Sequence, residues 1–167
     1  MGITMLEPKI KLYLDTSVPS ALYDTSKPVR QIITQKWFEN EASSYDLFIS
    51  VTAVEEIDQM ENIIKKQNIK ELIFDYKMRV LELSEEALRL AGNYLKKGAI
   101  PYSEPEDAYH VAIASVNGLA ALASWNFKHI VSMNPIRKIH QINMDHGYPI
   151  IEIGSLEIFG GAKYGNL

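Results

Sequence analysis

Short apolar segments, each about the length of one β-strand, alternate along this chain with stretches whose apolar residues recur at helical spacing. This alternation constrains the fold most, because parallel strands must be joined by crossovers, which are usually helices. It predicts an α/β protein of three layers, in which helices cover both faces of a central, mostly parallel sheet. Strands are expected at residues 10–14, 47–51, 80–83, 119–124 and 149–153, the last at a sheet edge because it begins with proline.

Helices are predicted between these strands, at residues 28–43, 52–66, 68–76, 84–97, 103–117 and 134–146. Ser84 opens one of them, and Gly98 ends it. Ser103 and Glu106 have the spacing of a capping box around Pro105, which predicts that Ser103 caps the next helix. The 167 residues fit one hydrophobic core, so a single domain over residues 1–167 is expected.

Composition excludes several classes of protein. The chain has no cysteine, which excludes disulfide bonds, thiol catalysis and thiolate zinc sites, and which suits a cytoplasmic protein. No apolar run reaches the roughly 20 residues that cross a bilayer, so no membrane partner is expected. The net charge of −4 excludes bulk attraction to nucleic acid, which leaves any such contact to local basic clusters such as Lys65, Lys66 and Lys70.

Oxygen-bearing side chains follow the predicted strands at the places where ligands bind in α/β proteins. Asp15 ends the first strand, and Glu55 and Glu56 lie just inside the helix after the second. Asp107 lies in the first turn of the helix before the fourth strand, and Asn126 follows that strand. Several carboxylates in one crevice repel each other unless a cation lies among them, and oxygen ligands favour Mg²⁺ or Mn²⁺.

Each of these residues also has an ordinary structural interpretation. Asp15 suits a helix N-cap, and Asp107 favours the positive N-terminus of a helix through its charge alone. Asn126 suits a turn, and one of Glu55 and Glu56 is expected to face solvent. The order of the whole set along the chain, rather than any single residue, indicates a site.

Four stretches of the chain, taken together, resemble the PIN domain, and more closely the VapC-type toxins of bacterial and archaeal toxin–antitoxin pairs. They are KLYLDTSVPSALYD, YDLFISVTAVEEI, PEDAYHVAIASVNGLAALASWNFKHI and, more loosely, GYPIIEIGSLEIF. The resemblance extends from Ile10 to Phe159, and its first and third stretches are specific in combination. The segment between Asp58 and Met78 matches nothing in the family.

The resemblance implies a metal site. Asp15, Glu56 and Asp107 match the acids that hold Mg²⁺ or Mn²⁺ in PIN domains, and Glu55 is the second choice for the position of Glu56. Ser17 matches a hydroxyl that supports the first acid.

The resemblance is less complete after the fourth strand. PIN domains often carry two further acids there, and this chain has Asn126 and Lys128 in their places. A subset of PIN proteins shares this pattern, so Asn126 is taken as the fourth catalytic residue, which holds a water or a phosphate oxygen. Lys128 is the cation expected to contact a phosphate.

The function implied by the resemblance is that of a Mg²⁺- or Mn²⁺-dependent endoribonuclease, which hydrolyses RNA phosphodiester bonds with a metal-activated water. Such a protein is the toxin of a pair, is inhibited by a cognate antitoxin protein and is usually a homodimer. The alternative is a catalytically weak or inactive PIN-like module that binds RNA or protein, since Asn126 and Lys128 replace acids. A haloacid-dehalogenase-type enzyme is disfavoured, because Ser17 stands where a second aspartate is needed.

Four aromatic or imidazole side chains lie close to the predicted site in the sequence. Trp125 and Tyr109 are expected to pack against neighbouring helices, with stacking on RNA bases as the alternative. His110 and His129 are assigned a core or surface role rather than a catalytic one.

Overall fold

The computed structural model describes residues 7–160, which contain a sheet of five strands. These are β1 (Ile10–Leu14), β2 (Tyr45–Ser50), β3 (Arg79–Leu81), β4 (Ala121–Ala123) and β5 (Glu152–Gly154). The strand order is β3-β2-β1-β4-β5, and every neighbouring pair is parallel. The predicted parallel sheet is confirmed, with its last strand at an edge.

Helices cover both faces of the sheet. They are α1 (Ser17–Ala21), α2 (Pro28–Asn40), α3 (Val51–Asp58), α4 (Ile63–Asp75), α5 (Glu85–Lys96), α6 (Pro105–Val116) and α7 (Met133–Asp145). Strand β1 shows how the layers form, because successive side chains of a strand point to opposite faces. Leu12 and Leu14 pack with Trp37 of α2, whereas Tyr13 packs on the other face with buried residues of α5 and α6. The three-layer α/β/α architecture is therefore confirmed.

The strand order places a crevice beside β1. Strands β2 and β3 lie on one side of β1, and β4 and β5 lie on the other. Such a reversal opens a crevice at the carboxyl ends of the two central strands, where α/β proteins bind ligands. Leu14 and Ala123, the last residues of β1 and β4, are partners in the sheet. The residues that follow them, Asp15 and Ser124, therefore emerge side by side.

The helix predicted over residues 52–66 is wrong. Helix α3 ends at Asp58, and α4 begins at Ile63. Asn62 separates them because its side chain accepts a hydrogen bond from the backbone N–H of Lys65 at 3.0 Å, which caps a new helix. Helix α4 takes in the helix predicted separately over residues 68–76.

The capping box predicted at Ser103 is also wrong. Helix α6 begins at Pro105, its N-cap is Glu104, and no side chain caps it. The physical reason is the proline, which disfavours helical backbone at the residue before it but is well suited to the first helical position. Glu104 accordingly has φ −122° and ψ 61°, outside the helical region.

None of the helices within residues 7–160 is long and apolar enough to cross a bilayer. The single domain expected over residues 1–167 reaches beyond the described residues at both ends and stays a prediction.

Candidate active site

A pocket of about 260 Å³ opens at the carboxyl end of the sheet, beside β1 and β4. All four residues that the sequence analysis assigned to a site line it. The full lining is Asp15, Thr16, Ser17, Ser20, Glu56, Asp107, His110 and Asn126. These side chains come from four distant parts of the chain, and only the sheet order brings them together.

Asp15 is buried, with 4% of its surface exposed, and hydrogen bonds hold both of its carboxylate oxygens. Oδ1 accepts from the backbone N–H of Ser17 at 3.0 Å and from the Ser17 hydroxyl. Oδ2 accepts from the hydroxyl of Ser124 at 2.5 Å. Burial raises the pKa of Asp15, and the charge of Asp107 adds to this, against the lowering effects of His110 and the two serines. The predicted supporting hydrogen bond from Ser17 is confirmed.

The same pair of hydrogen bonds occurs at a second place in the chain. Asp24 and Ser26 repeat the sequence Asp-Thr-Ser, and Asp24 Oδ1 accepts from the backbone N–H of Ser26 at 3.1 Å and from its hydroxyl at 2.5 Å. Asp24 is near the surface and far less buried than Asp15, and no residue from across the sheet contacts its carboxylate within residues 7–160. The local turn is therefore common to both, and burial in the crevice distinguishes Asp15.

Glu56 faces the pocket, whereas Glu55 is exposed. Glu56 Oε1 accepts hydrogen bonds from Thr16 Oγ1 at 2.8 Å and from His110 Nε2 at 2.5 Å. Burial raises the pKa of Glu56, but the hydrogen bond and charge of His110, together with the Thr16 hydroxyl, outweigh it. The pKa of Glu56 therefore lies below its ordinary value.

His110 is a buried residue of the pocket that the sequence analysis assigned to the core or surface instead. The hydroxyl of Tyr13 donates to Ser50 Oγ at 2.7 Å and is hydrogen-bonded to His110 Nδ1 at 2.6 Å. The other ring nitrogen, Nε2, is hydrogen-bonded to Glu56 Oε1. Burial lowers the pKa of His110, but its hydrogen bond to Glu56 and the neighbouring carboxylates outweigh burial and raise it.

The sequence held a signal for His110. It lies three residues after Asp107 in a helix, and residues three apart share one helix face. A histidine at that spacing from a site acid is therefore placed toward the same pocket.

Asp107 is held by the loop after β4. Its Oδ2 accepts from Asn126 Nδ2 at 3.1 Å and from His129 Nδ1 at 2.9 Å. Burial raises the pKa of Asp107, and the hydrogen bond from His129 opposes this. Asn126 Oδ1 accepts from the backbone N–H of His129 at 2.9 Å, while its Nδ2 lies toward Asp107 in the site.

The donor set of the pocket suits a hard divalent ion. Asp15, Glu56 and Asp107 offer carboxylate oxygens, which Mg²⁺ and Mn²⁺ prefer. The ligand atoms of these three acids do not all lie within 4.8 Å of one another. Within residues 7–160, the group whose ligand atoms do so is Glu104, Asp107 and His129. Mg²⁺ keeps several waters when a protein binds it, so acids spaced more widely than one coordination sphere fit an ion held partly through water.

The other side chains expected beside the site differ in exposure. Trp125 is only 5% exposed and donates its indole N–H to Thr34 Oγ1 at 3.0 Å, so it is packed rather than available for stacking. Tyr109 is half-buried against the core, as expected. Lys128 is exposed.

Comparison with known proteins finds similarity in structure rather than in sequence. No protein-family model matches the chain, and no curated protein matches its sequence. VapC20 of Mycobacterium tuberculosis, described as a toxin that cleaves the sarcin–ricin loop, is similar with a TM-score of 0.54 at 14% identity. That match covers 71% of this chain and 92% of the other.

Two further solved structures are similar over more of the chain. A chain of VapBC2 from Rickettsia felis, bound to a DNA fragment from its promoter, has a TM-score of 0.56 at 11% identity over 87% of this chain and 98% of its own. A chain of FitAB, bound to the IR36 DNA fragment, has a TM-score of 0.55 at 16% identity over 87% and 94%. At these identities the likeness establishes a common fold.

Proposed function

Because the chain has the fold of a VapC-type PIN domain, we propose that it is a Mg²⁺- or Mn²⁺-dependent endoribonuclease, the toxin of a toxin–antitoxin pair. The observation that supports this most is the convergence of Asp15, Glu56 and Asp107 on one pocket. Three acids at one place do not stabilise a structural core. Burial is the largest cause of the raised pKa of two of them, Asp15 and Asp107, and such shifts are common at functional sites.

In this proposal Asp15, Glu56 and Asp107 hold the divalent ion. When bound, the ion supplies an activated water and positive charge for the phosphate group. Ser17 and Ser124 fix the carboxylate of Asp15, and His110 and Thr16 fix that of Glu56. Fixed ligands favour catalysis because no reorganisation is needed as the reaction proceeds.

Asn126 contributes an N–H donor rather than an oxygen ligand. Its Nδ2 carries two hydrogens, of which one goes to Asp107. The other is free to donate to a phosphate oxygen in the pocket. Lys128, exposed two residues later, is placed to attract the phosphate backbone of RNA.

The partners follow from the same proposal. We expect RNA as substrate, a cognate antitoxin protein as inhibitor, a homodimer, and a place in the cytoplasm. The surface of α4 suits a protein contact, because Ile63, Ile64 and Phe74 are each at least 75% exposed there.

The second candidate is a PIN-like module that binds RNA or protein with little or no turnover. Two observations favour it: the acids of the triad lie more widely spaced than the ligands of one ion, and the oxygen of Asn126 is bonded to the backbone of His129. Cleavage assays separate this candidate from the nuclease.

The test is cleavage of single-stranded RNA by the full chain with Mn²⁺ or Mg²⁺, and its loss on addition of EDTA. Asp15→Asn should reduce the cleavage rate by about 100-fold or more, because even outer-shell partners of metal ligands are worth up to that factor. Asp24→Asn is the matched control, since it alters the same Asp-Thr-Ser turn outside the pocket. Equal rates for the two variants would mean that Asp15 is only a turn residue.

A further inference from the structure

A second cavity adjoins the candidate active site across the loop after β4. Asn126 lines the active site, while its neighbours Trp125 and Phe127 line a cavity of about 400 Å³. The other wall is the start of α2, and the full lining is Lys27, Pro28, Val29, Arg30, Ile33, Trp125, Phe127 and Glu157. We call this cavity the α2 groove.

Arg30 lies over two aromatic rings of the groove, which are tilted by 56° to each other. Its guanidinium carbon lies 5.2 Å from the ring centre of Trp125 and 5.8 Å from that of Phe127. Trp125 is buried beneath it, whereas Phe127 is 47% exposed. A planar cation and an exposed aromatic ring are the two kinds of side chain on which unpaired bases stack.

The positive charge of Arg30 has no acidic partner. Within residues 7–160, no carboxylate lies within 4.0 Å of its guanidinium group, although the side chain is half-buried. Lys27 adds a second cation to the groove, against the single acid Glu157. The guanidinium therefore keeps N–H donors for an anion, and a phosphate matches their geometry.

We propose that the α2 groove binds the RNA nucleotide next to the phosphate that is cleaved, which rests on the proposed function. Its base stacks on the exposed ring of Phe127, and its phosphate accepts hydrogen bonds from Arg30 and Lys27. Asn126 and Phe127 are neighbours in the chain, so the groove lies beside the candidate active site. RNA is favoured over a protein partner because the groove pairs a free planar cation with an exposed ring.

The experiment measures binding rather than cleavage. A fluorescein-labelled single-stranded RNA of about ten nucleotides is titrated with the full chain in EDTA, and its anisotropy is followed. Phe127→Leu should weaken binding about tenfold, the effect of one lost stacked base. The same variant should bind an abasic strand as well as the wild type does, because that strand has no base to stack. Arg30→Gln should weaken binding to both strands.

Arg79→Gln is the matched control. Arg79 also lies over an aromatic ring, 5.7 Å from Phe48, but that ring is buried and lies away from the pocket. This variant should bind both strands like the wild type.

The outcomes separate this inference from the proposed function. If Arg30→Gln and Phe127→Leu bind RNA as Arg79→Gln does, the groove inference is overturned even in a protein that cleaves RNA with Mn²⁺, and a protein partner becomes its occupant. If both variants lose affinity in a protein that cleaves nothing, the groove inference holds and the nuclease proposal fails.

Discussion

At the scale of single residues, His110 places an imidazole ring among three carboxylates. It hydrogen-bonds Glu56 directly, and its charge lowers the pKa of Asp15 and Asp107 against the raising effect of their burial. The ring is held in turn by the Tyr13 hydroxyl. Two hydrogen bonds, from Tyr13 to His110 and from His110 to Glu56, therefore link the core of the sheet to the candidate metal ligands.

Tyr13→Phe tests this link. The change leaves Ser50 Oγ and His110 Nδ1 short of one partner in a buried place, which should lower the free energy of unfolding by about 1–3 kcal/mol. It also frees the His110 ring to turn away from Glu56, so we expect slower RNA cleavage per folded molecule. Urea unfolding and initial cleavage rates measure the two effects.

Tyr94→Phe is the control for that change. Tyr94 is equally buried, and its hydroxyl donates to Asn143 Oδ1 at 2.5 Å, away from the pocket lining. A similar loss of stability with unchanged cleavage is expected. If both variants cleave at the same rate, the hydroxyl of Tyr13 serves stability alone.

The residues also show how far sequence can predict a site. Asp15 and Asp24 share the Asp-Thr-Ser sequence and the same local hydrogen bonds, so this motif does not separate them. The strand predicted before Asp15 and the order of acids along the whole chain pointed to Asp15. The resemblance favoured Glu56 over Glu55, and the spacing of three residues from Asp107 held a signal for His110 that was not used.

At the scale of elements, apolar runs located all five strands, because the central strands of a parallel sheet are covered on both faces and are rich in apolar residues. Gly98 and Gly118 ended helices as expected, with φ of +71° and +66°. The prediction missed α1 and ended α2 three residues late, and two further errors fell at helix starts, where a capping side chain competes with its neighbours. Pro105 begins α6, so Ser103 does not cap it. Asn62 caps α4, so the helix predicted across this residue is two helices, although its apolar spacing continues.

The two serines give a test at this scale. Ser84 caps α5 by accepting a hydrogen bond from the backbone N–H of Ala87 at 3.1 Å, whereas Ser103 makes no cap. Ser84→Ala should lower the free energy of unfolding by about 1 kcal/mol. Ser103→Ala should leave it within about 0.5 kcal/mol of the wild type. Both are measured by urea unfolding, and an equal loss would mean that Ser103 caps α6 in solution.

At the scale of the whole molecule, the strand order turns scattered acids into one site. Residues 15, 56, 107 and 126 meet because β1 lies between β2 and β4. Repulsion among Asp15, Glu56 and Asp107 opposes folding, and a bound cation would relieve it. Under the proposed function, metal binding at the pocket and the stability of the domain are therefore coupled.

This coupling predicts that Mn²⁺ stabilises the folded chain. An ion that binds only the native state, at about 100 times its Kd, raises the free energy of unfolding by about 2.7 kcal/mol. In a protein of this size, that raises Tm by roughly 5–10 °C. Differential scanning calorimetry with Mn²⁺ and with EDTA measures the shift. The catalytically weak module of the second candidate would show a much smaller shift if its triad no longer binds metal.

Variants of the two acidic groups decide where the ion lies. The predicted triad is Asp15, Glu56 and Asp107, and the second group is Glu104, Asp107 and His129. Asp107 is common to both. If the triad holds the ion, Asp15→Asn abolishes the shift in Tm and Glu104→Gln retains it. The reverse result would place the ion at Glu104 and His129, at the edge of the crevice, and Asp15 would then have no metal to bind. The matched variant Asp24→Asn should keep the full shift, because its carboxylate lies outside both groups.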